Sequence, residues 1–230
     1  MTTIADNLQA VRARVSAACF AAGREAGSVS LLAVSKTYGI AAIEEAMAAG
    51  QVSFGENYIQ EAVEKIEALR QRTVQWHCIG PVQSNKTRLV AEHFAWVHSV
   101  DRLKTAQRLS DQRPGHLPAL QVCIQVNTDA GANKAGVAPA ELAALAHTVA
   151  QLPGLALRGL MSIPEPSSDF HSALAVHTRT RMLFDKLNAE GLALDTLSMG
   201  MSADLEAAIQ AGSTLVRVGS AIFGARLVRR

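Results

Sequence analysis

Eight short apolar runs, rich in β-branched residues, recur along the 230-residue chain, and Ala-rich segments with helical spacing of apolar residues lie between them. This alternation is typical of repeated strand–helix units. The runs predict strands at 30–35, 51–55, 75–79, 96–100, 120–126, 157–163, 196–199 and 215–218. The intervening segments predict helices at 41–49, 58–70, 84–92, 103–111, 139–152, 172–189 and 204–211, with an additional helix at 4–26.

Eight such units without a Pro/Gly/Ser-rich linker predict an α/β fold. We expect a (β/α)₈ TIM barrel with an extra N-terminal helix, formed as one domain over residues 1–230, because barrels of this length commonly form a single domain. A doubly wound open sheet is the alternative. It would be expected to carry a GxGxxG turn after its first strand, and the sequence has none there.

Composition and charge exclude several classes of function. The chain has 22 Lys+Arg against 20 Asp+Glu and only 4% aromatic residues, so it offers neither a basic field nor a stacking surface for nucleic acid. We expect no secretory signal and no membrane partner, because no apolar stretch is long enough to span a bilayer. The histidine spacings do not suggest a metal site, and three cysteines without a CxxC motif suggest a cytoplasmic location.

Lys36 directly follows the first apolar run, LLAVS. In a barrel, the residues after the carboxyl ends of the strands form the active site. A lysine desolvated there can attack an aldehyde and form a Schiff base. The alternative is a solvated lysine at a loop entrance, since ionised side chains are mostly exposed. Three other lysines, Lys65, Lys104 and Lys186, fall within predicted helices and are expected on solvated faces.

Small residues follow the last two predicted strands. Ser202 lies in the segment SMGMSAD after the seventh strand, and Gly219 and Ser220 follow the eighth strand in RVGSAIFG. The corresponding loops of many barrels bind phosphate through backbone amides and hydroxyls. Ordinary turn and capping roles for Gly and Ser are the alternative. The two segments therefore favour a phosphorylated ligand without requiring one.

Arg217 lies within the eighth apolar run, LVRVG, and a guanidinium buried there needs a partner. One interpretation is a salt bridge to a barrel carboxylate such as Glu56. The other is a hydrogen bond to an aromatic nitrogen of a ligand. A lysine for an aldehyde, loops for a phosphate and an arginine for a ring nitrogen together predict a site for pyridoxal 5′-phosphate.

Several segments also resemble a known family, in the same order and over nearly the whole chain. They are AVSKTYG, FGENYIQE, WHCIGPVQSNK, GLMSIP and LSMGMSADLEAAIQAGSTLVRVGSAIFGAR. These segments are similar to the YggS/PROSC family of pyridoxal-phosphate-binding homeostasis proteins, which have the alanine-racemase-like barrel of fold type III. The resemblance implies that Lys36 carries the cofactor as an internal aldimine.

The resemblance also assigns the remaining cofactor contacts. It implies that Ser202, Gly219 and Ser220 hold the phosphate and that Arg217 faces the pyridine nitrogen. It further implies that Asn57, His77 and Met201 lie around the cofactor. The sequence departs from the family at two places. Tyr38 and Gly39 stand where a second lysine and a proline are frequent, and the loop carrying Lys134 lacks a frequent acidic residue.

Proteins of this family are understood as carriers or regulators of the vitamin B6 pool, linked to amino-acid and keto-acid balance, without an established turnover. The resemblance thus implies a monomeric protein that is not an enzyme and that contacts pyridoxal-phosphate-dependent apo-enzymes transiently. A weak amino-acid racemase is the alternative. It would need a base on each face of the substrate, and no additional β domain is expected after the barrel to supply a second tyrosine. A Schiff-base aldolase would place its lysine on a later strand, and residues 157–163 contain none.

Overall fold

The computed structural model describes residues 2–129, 135–167 and 169–224. Eight parallel strands close into a barrel in chain order, with the last strand paired to the first. The strands are β1 Ser30–Val34, β2 Ser53–Glu56, β3 Gln75–Cys78, β4 Trp96–Val100, β5 Leu120–Gln125, β6 Leu155–Met161, β7 Thr196–Ser198 and β8 Leu215–Val218. The predicted (β/α)₈ fold is confirmed.

Helices alternate with these strands around the outside of the barrel. They are α1 Ile4–Ala21, α2 Ile40–Ala48, α3 Ile59–Ala68, α4 Thr87–His93, α5 Leu103–Gln112, α6 Pro139–Ala150, α7 Phe170–Ala189, α8 Leu205–Gln210 and α9 Ser220–Phe223, with a short 3-10 turn at Ser84–Lys86 before α4. The additional N-terminal helix α1 begins at a reciprocal cap, in which Thr3 and Asp6 each accept the other's backbone N–H.

The observed bounds differ from the predicted ones by a few residues. Strand β6 begins two residues before its predicted start, and α1 ends at Ala21 rather than at residue 26. The helix ends there because Gly23 adopts a φ of 65° and turns the chain out of the helical path. Helix α9 was not predicted, since four residues are too few to show a helical period.

The main apolar core lies between the barrel strands and the surrounding helices. A smaller cluster of Trp96, Cys123 and Met161 is separate from it, and Trp96 stacks on His77 with ring centroids 5.3 Å apart. Because all eight strands are parallel, their carboxyl ends meet at one mouth of the barrel. No helix in the described ranges has the length and apolar content needed to cross a membrane.

Candidate functional site

A cavity of about 310 Å³ opens at the mouth formed by the carboxyl ends of the strands. Its lining comes from β1 and β8 and from the segments that follow β1, β2, β3, β6, β7 and β8. Seven of the eight predicted site residues line it: Lys36, Asn57, Met201, Ser202, Arg217, Gly219 and Ser220. The structure therefore brings together residues that are up to 184 positions apart in the sequence.

A cluster of Glu56 on β2 with Glu61 and Lys65 on α3 holds the turn that carries Lys36. The Lys65 ammonium donates to the Ser35 carbonyl at 2.9 Å, to Glu56 at 2.8 Å and to Glu61 at 2.5 Å. Glu61 also accepts the backbone N–H of Thr37 at 2.8 Å. The neighbours of Lys36 on both sides are thus fixed, including Thr37, whose φ of 70° is unusual for a β-branched residue.

This cluster corrects two expectations. Lys65 is 5% exposed and buried rather than on a solvated helix face, because that face of α3 packs against the Lys36 turn. Glu56 is the partner of Lys65 and of the Ser35 hydroxyl, so the predicted alternative of an Arg217–Glu56 salt bridge is wrong. Burial raises the pKa of the Glu56 carboxyl above its ordinary value, against the opposing influence of Lys65.

Arg217 is 3% exposed and is held by neutral groups. Its Nη1 donates to the Ser198 carbonyl at 2.6 Å and to the Ser198 hydroxyl at 2.7 Å, and its Nη2 donates to the Ser162 carbonyl at 2.9 Å. Within the described ranges, no carboxylate forms a salt bridge with it. Burial lowers the pKa of Arg217 to about 10, so the guanidinium remains charged at neutral pH. Two of its five N–H donors, at Nε and Nη2, are left by these bonds for another acceptor.

A chain of hydrogen bonds continues from Ser198 through the barrel interior. His98 Nδ1 lies 2.8 Å from the Ser198 hydroxyl, His98 Nε2 lies 2.9 Å from His77 Nδ1, and His77 Nε2 lies 3.1 Å from Gln75 Oε1. An amide oxygen only accepts, so His77 Nε2 must donate to it. In neutral His77, Nδ1 then accepts from His98, and His98 in turn accepts from the Ser198 hydroxyl.

Burial explains why both histidines are neutral. It lowers the pKa of His77 to about 3, and burial together with the positive charge of Arg217 lowers the pKa of His98 well below its ordinary value. Each group in this series of hydrogen bonds therefore donates to the next, from Arg217 through Ser198, His98 and His77 to Gln75. This arrangement fixes the orientation of the guanidinium without neutralising its charge.

His77 departs from the expectation that it lies around the bound ligand. It does not line the cavity at the mouth, but lines a second cavity on the opposite side of the barrel together with Gln75 and Trp96. The residue of this segment that does line the mouth cavity is Ile79, just beyond the end of β3. Strand periodicity gives the face of a strand on which a residue lies, but it does not give the residue's depth in the barrel. His77 lies deeper than the seven predicted residues that line the mouth cavity.

The loops after β7 and β8 are shaped by close contacts. Gly200 has a φ of 94°, and Asp204 accepts the Met201 N–H at 2.7 Å, which closes the turn that presents Ser202. The Arg14 guanidinium from α1 donates to the Ser202 carbonyl at 2.8 Å and pairs with Glu206. A Cβ at Gly219 would lie 3.1 Å from the Val34 carbonyl, so glycine allows the β8 loop to approach β1 closely.

Five further residues that were not predicted from the sequence also line the cavity: Val34, Tyr38, Ile79, Ile163 and Ala203. Their positions directly after strands could have signalled a mouth location for Ile79 and Ile163. Lys134 and its loop lie outside the described residues. Among the described residues that line the cavity there is no Asp or Glu, whereas Lys36 and Arg217 carry basic groups, so the described lining favours an anionic ligand.

No group of three or more metal-ligating side chains occurs within the ranges 2–129, 135–167 and 169–224. The three cysteines are unpaired and buried. Burial raises the pKa of Cys78 and of Cys123 to about 12, which keeps both as unreactive thiols. The chemistry available at the mouth is therefore that of an amine, a guanidinium, amides and hydroxyls.

The sequence is similar to known proteins over nearly its whole length. A family model described as the N-terminal domain of alanine racemase matches residues 3–227. A protein of Pseudomonas aeruginosa described as a pyridoxal phosphate homeostasis protein is 59% identical over 226 residues, which cover 98% of this chain and 97% of that protein.

Solved structures extend the comparison. PipY of Synechococcus elongatus PCC7942, in a structure described as having PLP bound, is 37% identical with a TM-score of 0.85 and is matched over its full length by 96% of this chain. Alanine racemase of Clostridium difficile shares the fold at 15% identity with a TM-score of 0.72, and 85% of this chain covers 52% of it.

Proposed function

The chain belongs to the family of pyridoxal phosphate homeostasis proteins, within the larger family of the alanine racemase N-terminal domain, and we propose that it binds pyridoxal 5′-phosphate at the barrel mouth and carries it for other proteins. The supporting observation is the cavity lining. One lysine and one buried arginine line this space together with amides and hydroxyls, and no described lining residue is a carboxylate.

The side chains present fit this cofactor. Ser202, Gly219 and Ser220 offer hydroxyl and amide donors for a phosphate, and Arg217 keeps N–H donors for a pyridine nitrogen. Asn57 has a buried side-chain oxygen without a partner among the described residues, so it can accept a hydrogen bond from a ligand. When bound, the cofactor supplies an aldehyde that condenses with a primary amine to form a C=N bond with release of one water. Lys36 is the amine at the cavity.

The same residues favour a carrier over an amino-acid racemase. A racemase needs a proton acceptor and a proton donor on opposite faces of the substrate. Besides Lys36 and Arg217, the one titratable residue among the described lining residues is Tyr38, whose hydroxyl donates to the Gly224 carbonyl at 2.6 Å. Tyr58 does not line the cavity. Arg217, charged at neutral pH, also leaves the pyridine nitrogen unprotonated, which makes the cofactor a weaker electron sink.

The proposed carrier acts as a monomer in the cytoplasm and delivers the cofactor to pyridoxal-phosphate-dependent apo-enzymes through transient contacts, which affects amino-acid and keto-acid balance. A reducing compartment agrees with three unpaired cysteines. A single domain over residues 1–230 is part of the same proposal. It is supported by one barrel whose main core is continuous.

The test is cofactor transfer by the purified protein. We expect the protein to turn yellow with pyridoxal 5′-phosphate, to retain the colour through gel filtration and to restore activity to an added apo-enzyme. A matched Lys36→Met variant should retain no cofactor through the same column. Loaded protein incubated with L-alanine should leave its chirality unchanged. Rapid racemisation would favour the enzyme, and a colourless protein would contradict the proposed binding.

A further inference from the structure

We propose that Tyr38 is a tether between the two sides of the cavity and that it sets the rate at which pyridoxal 5′-phosphate leaves. Tyr38 lines the cavity two residues after Lys36. This inference rests on the proposed function, because it concerns the release of the cofactor from the same site. It concerns a positioning residue and does not assign Tyr38 a chemical step.

Tyr38 makes two contacts with the segment that follows β8. Its hydroxyl donates to the Gly224 carbonyl at 2.6 Å, and its ring stacks on Phe223 with centroids 4.9 Å apart and an interplanar angle of 28°. Phe223 ends α9, and Ser220 begins it. The tyrosine therefore connects the Lys36 turn directly to the short helix that starts at the expected phosphate contact.

The Lys36 side of this connection is firmly held. The Tyr38 N–H donates to the Ser35 carbonyl at 3.0 Å, and the same carbonyl accepts Lys65. On the other side, α9 has only four residues and gains further support from α1, where the Asn7 side chain donates to the Ile222 carbonyl at 3.0 Å. A short helix has little stability of its own, so contacts from outside it decide its position.

A cofactor attached to Lys36 at its aldehyde and to Ser220 at its phosphate spans the gap that Tyr38 bridges. Moving α9 away from the Lys36 turn would release the phosphate end, and that motion must break the hydrogen bond and the stacking made by Tyr38. The tether thus opposes release of a ligand that engages both sides. It has little influence on a ligand without a phosphate, which engages Lys36 and Arg217 but makes no phosphate contact with α9.

Exchange of bound cofactor tests the tether. Loaded protein is mixed with excess isotopically labelled pyridoxal 5′-phosphate, and mass spectrometry of the reisolated protein gives the exchange rate. We expect Tyr38→Phe, which removes one hydrogen bond, to exchange about threefold to tenfold faster than the unaltered protein. Tyr38→Ala also removes the stacking and should exchange about tenfold to a hundredfold faster. Tyr58→Phe is the matched control, since the only other tyrosine of the chain is exposed and does not line the cavity.

The same measurement with pyridoxal, which lacks the phosphate, separates tethering from a general loss of structure. Tyr38→Phe should change pyridoxal exchange by less than about twofold. Equal acceleration for both ligands, or an unchanged rate for pyridoxal 5′-phosphate, would overturn the tether while leaving the proposed function intact. If the unaltered protein fails to retain pyridoxal 5′-phosphate at all, the proposed function fails and the inference fails with it. Should Tyr38→Ala not fold, Tyr38→Phe alone decides the question.

Discussion

Arg217 illustrates how a buried charge is positioned by neutral groups. Its hydrogen bonds go to Ser198 and Ser162, and Ser198 is in turn oriented by His98. The arrangement requires a histidine that accepts at Nδ1 and donates at Nε2, which only the neutral ring does. Protonation of His98 would place a second positive charge near Arg217 and remove an acceptor from the chain.

This requirement predicts a pH dependence of stability. In the folded protein the pKa of His77 is lowered to about 3 from an ordinary value of 6.5, so the unfolded chain binds more protons between these values. The contribution of neutral His77 to stability is therefore fully present above pH 6.5 and is lost as the pH falls below this value. Below pH 6 we expect the free energy of unfolding to fall by about 1.4 kcal/mol per pH unit for His77 and by a similar amount for His98.

Urea unfolding between pH 7 and pH 5 measures this slope. His98→Gln keeps a polar side chain at the position and should reduce the slope by about 1.4 kcal/mol per pH unit. His116→Gln, at an exposed histidine, is the matched control and should keep the slope of the unaltered protein. If His98→Gln left the slope unchanged, protonation of the buried His98 on unfolding would not explain the loss of stability in acid.

At the scale of elements, α1 supports the loops that are expected to hold the phosphate. It packs against α8 and α9, and two of its polar side chains, Arg14 and Asn7, bond to the Ser202 and Ile222 carbonyls. The extra helix predicted from the sequence is therefore part of the site's framework. Its contribution is indirect, since no residue of α1 lines the mouth cavity.

Two arginines of α1 allow this role to be tested. Arg14→Ala should weaken binding of pyridoxal 5′-phosphate about threefold, a small effect because the Arg14 side chain and its Glu206 partner are both substantially exposed. Arg12→Ala is the matched control, because Arg12 donates to the Ala49 and Gly50 carbonyls, which lie away from the cavity. Fluorescence titration with the cofactor measures both affinities. Equal weakening by the two variants would show that α1 affects binding only through overall stability.

The elements also show which features were predictable from sequence. The eight strands were recognisable because buried parallel strands are continuously apolar. The solvated position predicted for Lys65 is wrong, because helical spacing does not reveal that one face of α3 packs against the Lys36 turn. Tyr38 departs from the residue that is frequent in the family, but its contact with Gly224 joins residues 186 positions apart, and the sequence carries no local signal of that contact.

At the scale of the whole molecule, the barrel separates two environments. The mouth cavity is lined by two cations and no described carboxylate, whereas a continuous chain of neutral polar groups runs from Arg217 through the interior to Gln75. Burying polar groups is tolerated when each finds a partner. The fold thus places Lys36 and Arg217 on one cavity, and hydrogen bonds in the barrel interior orient the arginine.

The proposed carrier function requires covalent attachment of pyridoxal 5′-phosphate to Lys36. The loaded protein is reduced with borohydride, digested with protease and mapped by mass spectrometry, with the five other lysines of the chain as internal controls. We expect one reduced cofactor per chain, on the peptide that contains Lys36, and none in the Lys36→Met variant. A modification on another lysine, or a protein that carries none, would contradict it.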